Sequence, residues 1–316
     1  MTNYSQVIEF LLIGFPGLQK TYHIPVSIVM FIVYIVSLCV NGTVISLVYL
    51  KEHLHQPMYI FIANLALSDL LFDTITLPKI IAKYWDEDAK MSFSGCYLQT
   101  FLVHFLGTVD SFLLMLMAAD RCVAICKPLR YAAMITKKIT TACCCILWLM
   151  AAVAGAANPI ISFMNFHFCG QNEIYGLFCS SMTLYPLSCT DVSSNQQTRF
   201  LIGIVSSLLV PLAVIILSYI IIILTVQSMV MTDNWRKLFY TCTTHLLVIS
   251  LYYVPRAFVY FTSYFNLVLK VELSVLILFL YTYIPHLANP FIYCLRNKDI
   301  KVILVNVFGS KNKLGC

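Results

Sequence analysis

Among the ionisable side chains inside long apolar stretches of this 316-residue chain are Asp69, Asp73, Lys79, His104, Asp110, His245, Arg256 and His286. Such groups are costly in lipid, so each is a functional candidate. Asp69 and Asp110 carry the most weight. Both sit near the middle of their stretches and need partners such as Asn41, His245 or Asn289. Two carboxylates at that depth could share a cation or a proton that distinguishes two conformations, which makes Asp69 and Asp110 a candidate sodium site. The alternative is a hydrogen-bonded core network in which one acid keeps its proton. Arg256, next to Pro255, could draw an anionic ligand into a cavity; equally it could snorkel to the interface or pair with Glu272. His104 reads either as a ligand-contacting donor or as a satisfied core histidine. The run Cys143-Cys144-Cys145 is not a zinc site, because consecutive helical residues point about 100° apart. HExxH, a completed GxSxG triad, a P-loop and a Gly-rich dinucleotide turn are all missing, so no enzymatic site is expected.

The elements that must hold these residues follow from composition. Hydrophobic residues make up 60% and charged residues 11% of the chain, with a mean hydropathy of +0.85. A soluble protein carries about 25% charged residues, so this chain cannot cover a water-facing surface. A soluble enzyme, a secreted disulfide scaffold and a nucleic-acid binder are excluded. Seven apolar runs occupy residues 24–49, 57–82, 96–121, 140–163, 199–226, 238–262 and 273–295. Each is long enough to span about 30 Å of hydrocarbon as a helix, and none shows the two-residue period of a barrel strand. The expected fold is an all-α membrane protein, a single seven-helix bundle with no separate soluble domain. A short amphipathic helix over 298–308 would lie on the membrane. The first run is too long for a cleavable signal and reads as a signal anchor.

Lysine and arginine set the orientation. With the N-terminus outside, 13 of the 20 fall on the cytoplasmic side, five outside, and Lys79 and Arg256 within spans, as the positive-inside rule requires. The C-terminus is then cytoplasmic. Asn3-Tyr4-Ser5 offers a glycosylation acceptor on the outer tail. Cys96, Cys169, Cys179 and Cys189 also fall outside, where disulfides persist; four cysteines allow three pairings. Pro211, Pro255, Pro285 and Pro290 bend the later spans, as hinges or as plain kinks.

At the inner end of the third span stands Met117-Ala118-Ala119-Asp120-Arg121-Cys122-Val123-Ala124-Ile125-Cys126, followed by Lys127-Pro128-Leu129-Arg130-Tyr131. This closely resembles the signature of the olfactory (odorant) receptors of the rhodopsin-like G protein-coupled receptor class. Further stretches resemble the same family: Leu54-His55-Gln56-Pro57-Met58-Tyr59, Ser218-Tyr219, Lys237-Leu238-Phe239-Tyr240-Thr241-Cys242-Thr243-Thr244-His245, and Asn289-Pro290-Phe291-Ile292-Tyr293. Phe15-Pro16-Gly17-Leu18 and Tyr253-Val254-Pro255 look more like the fish-like class I group.

The resemblance implies an odorant receptor that activates a heterotrimeric G protein of the olfactory stimulatory type, raising cyclic AMP, at the plasma membrane of olfactory cilia. It implies that Arg121 is a switch held by Asp120 at rest, with Tyr219, His245, Asn289, Pro290 and Tyr293 taking part. It pairs Cys96 with Cys179 and Cys169 with Cys189. The implied pocket lies between spans three, five, six and seven, with candidates His104, Gly107, Thr108, Ser207, Tyr253, Arg256, Tyr260, Phe279 and Tyr283. Arg256 with His104 would favour a small polar or anionic odorant such as a carboxylate. Cys122 departs from the family's usual tyrosine, and Val103 stands where amine receptors place an aspartate. No cofactor beyond the candidate sodium ion, and no partner beyond odorant, G protein and membrane lipid, is expected; nucleic acid is not. The alternative within the class is a receptor for a non-odorant metabolite outside the nose, which transcript location would separate. A transporter or channel would show repeated halves, and no such repeat is present.

Overall fold

A computed structural model describes residues 9–86, 89–165, 168, 170–189, 205–228, 235–265 and 270–296. Its helices are α1 (His23–Leu50), α2 (Pro57–Asp86), α3 (Phe93–Cys126), α4 (Pro128–Met134), α5 (Lys137–Asn165), α6 (Ser181–Leu184), α7 (Val210–Ser228), α8 (Trp235–Tyr264) and α9 (Val271–Arg296). Seven are long. Six of these, all but α8, are both long and apolar enough to cross a membrane. α8 has 30 residues, but its tyrosines, threonines, His245 and Arg256 make it more polar. Large apolar side chains such as Val153 (76% exposed) and Leu224 (60% exposed) face outward, the arrangement expected of a helix bundle solvated by lipid.

The central element is α3. It runs 34 residues, longer than its apolar stretch because Ser92 caps its start by accepting from the Gly95 amide at 3.1 Å, an N-cap arrangement. It packs against α2, α5 and α7, and buried residues line it from Cys96 to Ile125. Two apolar cores follow. One, around Leu113, Leu114 and Met117, fills the half of the bundle toward Asp120. The other, around Phe10, Ile80, Tyr84 and Leu106, fills the opposite half.

That opposite end carries a feature absent from the apolar-run reading. Three short strands, β1 (Glu9–Leu12), β2 (Lys90–Ser92) and β3 (Glu173–Ile174), form a sheet in the order β2-β1-β3. β1 is antiparallel to β2, with Phe10 opposite Met91, and parallel to β3, with Leu12 opposite Ile174. Phe10 and Leu12 alternate inward, and Phe10 packs against the rings of Phe93 and Phe168. The chain then turns at Gly14, whose φ of +73° favours glycine. The Phe15 amide donates to the Tyr84 hydroxyl at 2.6 Å. Cys96 and Cys179 are joined by a disulfide, tying the start of α3 to the segment after β3.

Helix bounds differ from the apolar runs mainly at α3, α5 and α8, which extend into polar flanks. The fifth long helix begins with a π turn, Val205–Leu209, before α7; residues 199–204 lie outside the described set, as do Asn3, Cys169 and the 298–308 segment.

Candidate functional site

Three polar groupings run along the interior. The first, in the sheet half, joins α3 to α8. The Tyr252 hydroxyl donates to the Gly107 carbonyl at 2.5 Å. Arg256 lies flat on the Tyr252 ring, its Cζ 4.2 Å from the centroid, and donates to the Tyr252 hydroxyl and to the Gly107 carbonyl. A Cβ on residue 107 would come within 3.4 Å of the guanidinium, so glycine is what lets Arg256 rest on the α3 backbone. One turn on, the Ser111 hydroxyl donates to the Ser207 carbonyl at 2.6 Å and receives the Tyr253 hydroxyl at 2.7 Å. Pro211, four residues after Ser207, has no N–H to offer that carbonyl, so the side chain of Ser111 takes its place.

Across from Arg256, His104 Nε2 meets the Ser181 hydroxyl at 2.9 Å and the Ser181 amide at 3.4 Å, which anchors α6 over this half. His104, Gly107, Ser207, Tyr253 and Arg256 thus gather around one seam. Thr108 is buried and spends its hydroxyl on the His104 carbonyl at 2.7 Å. Phe279 and Tyr283 belong elsewhere. Phe279 packs on Phe15 and Tyr283, and the Tyr283 hydroxyl donates to Thr76 of α2 at 3.0 Å. Tyr260 is on α8, its side chain outside the described set. Arg256 turns toward α3 rather than toward Glu272, which is exposed at the start of α9.

The second grouping is the acidic one. Asp69 and Asp110 come together, and of the expected partners Asn289 reaches Asp69 while Asn41 and His245 reach neither acid among the described residues. His286 of α9 sits between Asp69 and Asp73: its Nδ1 is 2.7 Å from Asp73 Oδ1 and its Nε2 3.5 Å from Asp69 Oδ1. Asp73 also accepts from the Ser37 hydroxyl at 2.5 Å, and Asn289 donates to Asp69 Oδ2 at 3.1 Å. One donor atom each of Asp69, Asp110 and His286 lie within 4.8 Å of one another, and all three residues are buried. Asn41 does not reach a carboxylate. It donates to Ser37 and to the His286 carbonyl, both at 3.2 Å. Pro290, four residues on, again explains the free carbonyl. Asn289, expected in the switch, therefore stands inside this cluster.

His245, the other expected partner, lies in the third grouping toward the far end. The Tyr219 hydroxyl is 2.8 Å from His245 Nδ1, and Arg121 is an electrostatic neighbour of both. Arg121 is also an electrostatic neighbour of Asp120, with no direct hydrogen bond between them among the described residues. It donates to the Met58 thioether, while Asp120 accepts from Tyr131 of α4 at 2.8 Å. Burial and the Asp120 carboxylate push the Tyr131 phenol well above its ordinary value, so it stays a hydrogen-bond donor. Cys122 sits 3.9 Å, sulfur to sulfur, from Cys126, which reaches Thr225 of α7 at 3.3 Å. Pro290 is buried on α9 and Tyr293 is on α9 with its side chain outside the described set.

Among the cysteines, Cys189 is disulfide-bonded; Cys169 lies outside the described residues. Cys143, Cys144 and Cys145 diverge, with Cys144 buried and Cys145 exposed. His286 and Asp73, candidates by charge alone, are paired in the acidic cluster. Asp69 and Asp73 are four apart, hence on one face of α2, and a carboxylate pair on one buried face calls for a cationic or hydrogen-bonding partner.

Comparison with known proteins places this arrangement. The fold is similar to that of squid rhodopsin, with a TM-score of 0.75 at 17% identity, covering 95% of this chain and 89% of that one. Rat "Olfactory receptor 1500" is 32% identical over 309 residues, 98% of this chain and 97% of its own. Human "Olfactory receptor 1A1" is 36% identical over 315 residues, 98% of each. The olfactory receptor family profile matches residues 30–311. A seven-helix membrane bundle with these motifs and these relatives is a signalling receptor and not an enzyme, and the chain belongs to the olfactory receptor family.

Proposed function

We propose that this odorant-sensing, G protein-coupled receptor of the plasma membrane takes small polar or anionic odorants, carboxylates first, at the α3–α8 seam. The observation that carries the reading is Arg256: a half-buried guanidinium laid on Tyr252 and the Gly107 carbonyl, with His104 beside it. A carboxylate arriving there would compete with a neutral carbonyl for a cationic fork, a contest the charged acceptor wins. The same bonds fasten α8 to α3, so drawing Arg256 and Tyr252 away frees the sheet half of α8 to move about Pro255. Motion of α8 is felt at His245–Tyr219 and at Arg121 beyond it. A ligand that favours the loosened arrangement shifts the population toward it.

In this reading the sheet end and Asn3 face outward and the Asp120–Arg121 end meets a stimulatory G protein that raises cyclic AMP, in olfactory cilia. The group is the fish-like class I one, on the strength of Phe15-Pro16-Gly17-Leu18 and Tyr253-Val254-Pro255. The test is cyclic AMP in cells expressing the chain, challenged with acids and their matched esters, with Arg121→Ala as the coupling control. Arg256→Ala should weaken responses to acids about 10- to 100-fold, the value of a hydrogen bond to a charged group, and leave the esters nearly unchanged. Equal losses for acids and esters would overturn the carboxylate assignment.

A further inference from the structure

We propose that Cys122 and Cys126 form a dithiolate binding site for a thiophilic divalent ion of the Zn2+ class, with Thr225 as an oxygen donor that bridges α3 to α7. This inference stands apart from the odorant reading, because it concerns the other end of the bundle and its test needs no odorant. In the orientation proposed above, this end faces the cytoplasm, where thiols stay reduced.

Cys122 and Cys126 are four residues apart on α3, so their side chains rise from one face of the helix. Their sulfurs stand 3.9 Å apart. Two thiolates each about 2.3 Å from a tetrahedral zinc ion are about 3.8 Å apart, so this pair already has the separation of a shared ion. A disulfide suits the same residues less well. It needs Cβ atoms about 3.5–4.5 Å apart, whereas positions i and i+4 of a helix hold them at about 5–6 Å. Both cysteines are free and half-buried, and Lys127 just beyond them is exposed, which leaves an approach from water.

A second observation comes from α7. Thr225 Oγ1 lies 3.3 Å from Cys126 Sγ and gives its own proton to the Ile221 carbonyl at 2.8 Å. With that proton committed, the hydroxyl turns a lone pair toward the sulfur, and the Cys126 S–H is the donor. A sulfur and an oxygen ligand of one tetrahedral ion are about 3.6 Å apart, so the same lone pair can serve an ion held between the thiolates. The donors choose the ion. Thiolates reject hard Mg2+ and Ca2+, and an oxygen beside them suits zinc better than the softer Cu+. On binding, two S–H bonds break, two S–Zn bonds form and two protons leave to solvent; nothing is oxidised or reduced. Because Cys122 follows Arg121 directly, the ion would hold α3 and α7 together beside that residue.

The experiment uses the purified full chain, stripped with chelator and kept reduced by a phosphine. It follows maleimide alkylation of each cysteine by peptide mass spectrometry. Zn2+ alone, at about 100 times its dissociation constant, should slow the labelling of Cys122 and Cys126 about 100-fold and leave the exposed Cys145 unchanged. Mg2+ alone should protect neither. Cys122→Ser should remove the protection of Cys126, and Cys126→Ser that of Cys122. Thr225→Val should require more Zn2+ for the same protection. Co2+ in the same site should show thiolate charge-transfer absorption that Cys122→Ser loses. The proposal falls if Zn2+ protects the pair no more than it protects Cys145, or if either cysteine stays protected once the other is serine. Co2+ absorption that does not depend on Cys122 also overturns it, and an unchanged Zn2+ requirement in Thr225→Val overturns the bridge to α7.

Discussion

The α3–α8 seam and the acidic cluster are both polar groupings inside an apolar bundle, yet they are built on opposite plans. In the seam, neutral hydroxyls meet backbone carbonyls or one another: Tyr252 with the Gly107 carbonyl, Ser111 with the Ser207 carbonyl, Tyr253 with the Ser111 hydroxyl. Each such bond contributes only about 1 kcal/mol net, so the seam can open at modest cost. In the cluster, charges of one sign are crowded around His286, and four acceptor oxygens have no donor. Losing a charged partner there is far more costly than losing a hydroxyl from the seam. The contrast separates a latch suited to movement from a clamp suited to holding helices together.

Four substitutions sharpen that contrast, in order of effect. His286→Leu should be the most damaging, at about 3–5 kcal/mol, because it leaves buried carboxylates uncompensated. Denaturation of the purified receptor in chelator measures it, and adding Asp73→Leu to the same chain should recover part of the loss. Asn41→Ala orphans the His286 carbonyl and should cost about 1–3 kcal/mol by the same assay. Tyr252→Phe removes one latch bond, about 0.5–1.5 kcal/mol. Its more telling readout is ligand-free cyclic AMP, which should rise for Tyr252→Phe and not for Asn41→Ala. Lys90→Gln, which breaks the exposed 3.4 Å pair with Glu9 at the sheet, should change stability by less than about 1 kcal/mol. If Lys90→Gln rivals Asn41→Ala, the division between buried and exposed polar contacts is wrong.

Much of the architecture is legible in the sequence because lipid imposes a simple rule: a spanning backbone must be helical, so apolar runs of sufficient length declare themselves. The sheet escapes that rule. Its strands are 4, 3 and 2 residues long and pair segments far apart in the chain, leaving only the alternation of Phe10 and Leu12 as a local trace. In the interior, Asp69 and Asp110 stand out because charge is conspicuous in an apolar run. His286 stands out in the same way, but its pairing with Asp69 and Asp73 does not, because only the fold brings α9 to α2. That Asp120 and Arg121 are electrostatic neighbours is legible in their adjacency, whereas their hydrogen-bond partners, Tyr131 and Met58, are not. The carbonyls freed by Pro211 and Pro290 could also be read ahead of time, as demands for the side-chain donors that Ser111 and Asn41 supply.

The position of β1 in the middle of its sheet has a consequence for the order in which this molecule can be made. The strand emerges among the first dozen residues, but one neighbour is complete only after Ser92 and the other only after Ile174. During synthesis the leading segment therefore has no mate until α1 and α2 exist and gains its second only after α3 and α5, so the cap closes late. A tag fused ahead of Glu9 leaves that closure intact, whereas trimming the chain past Leu12 removes the piece around which the other two strands assemble.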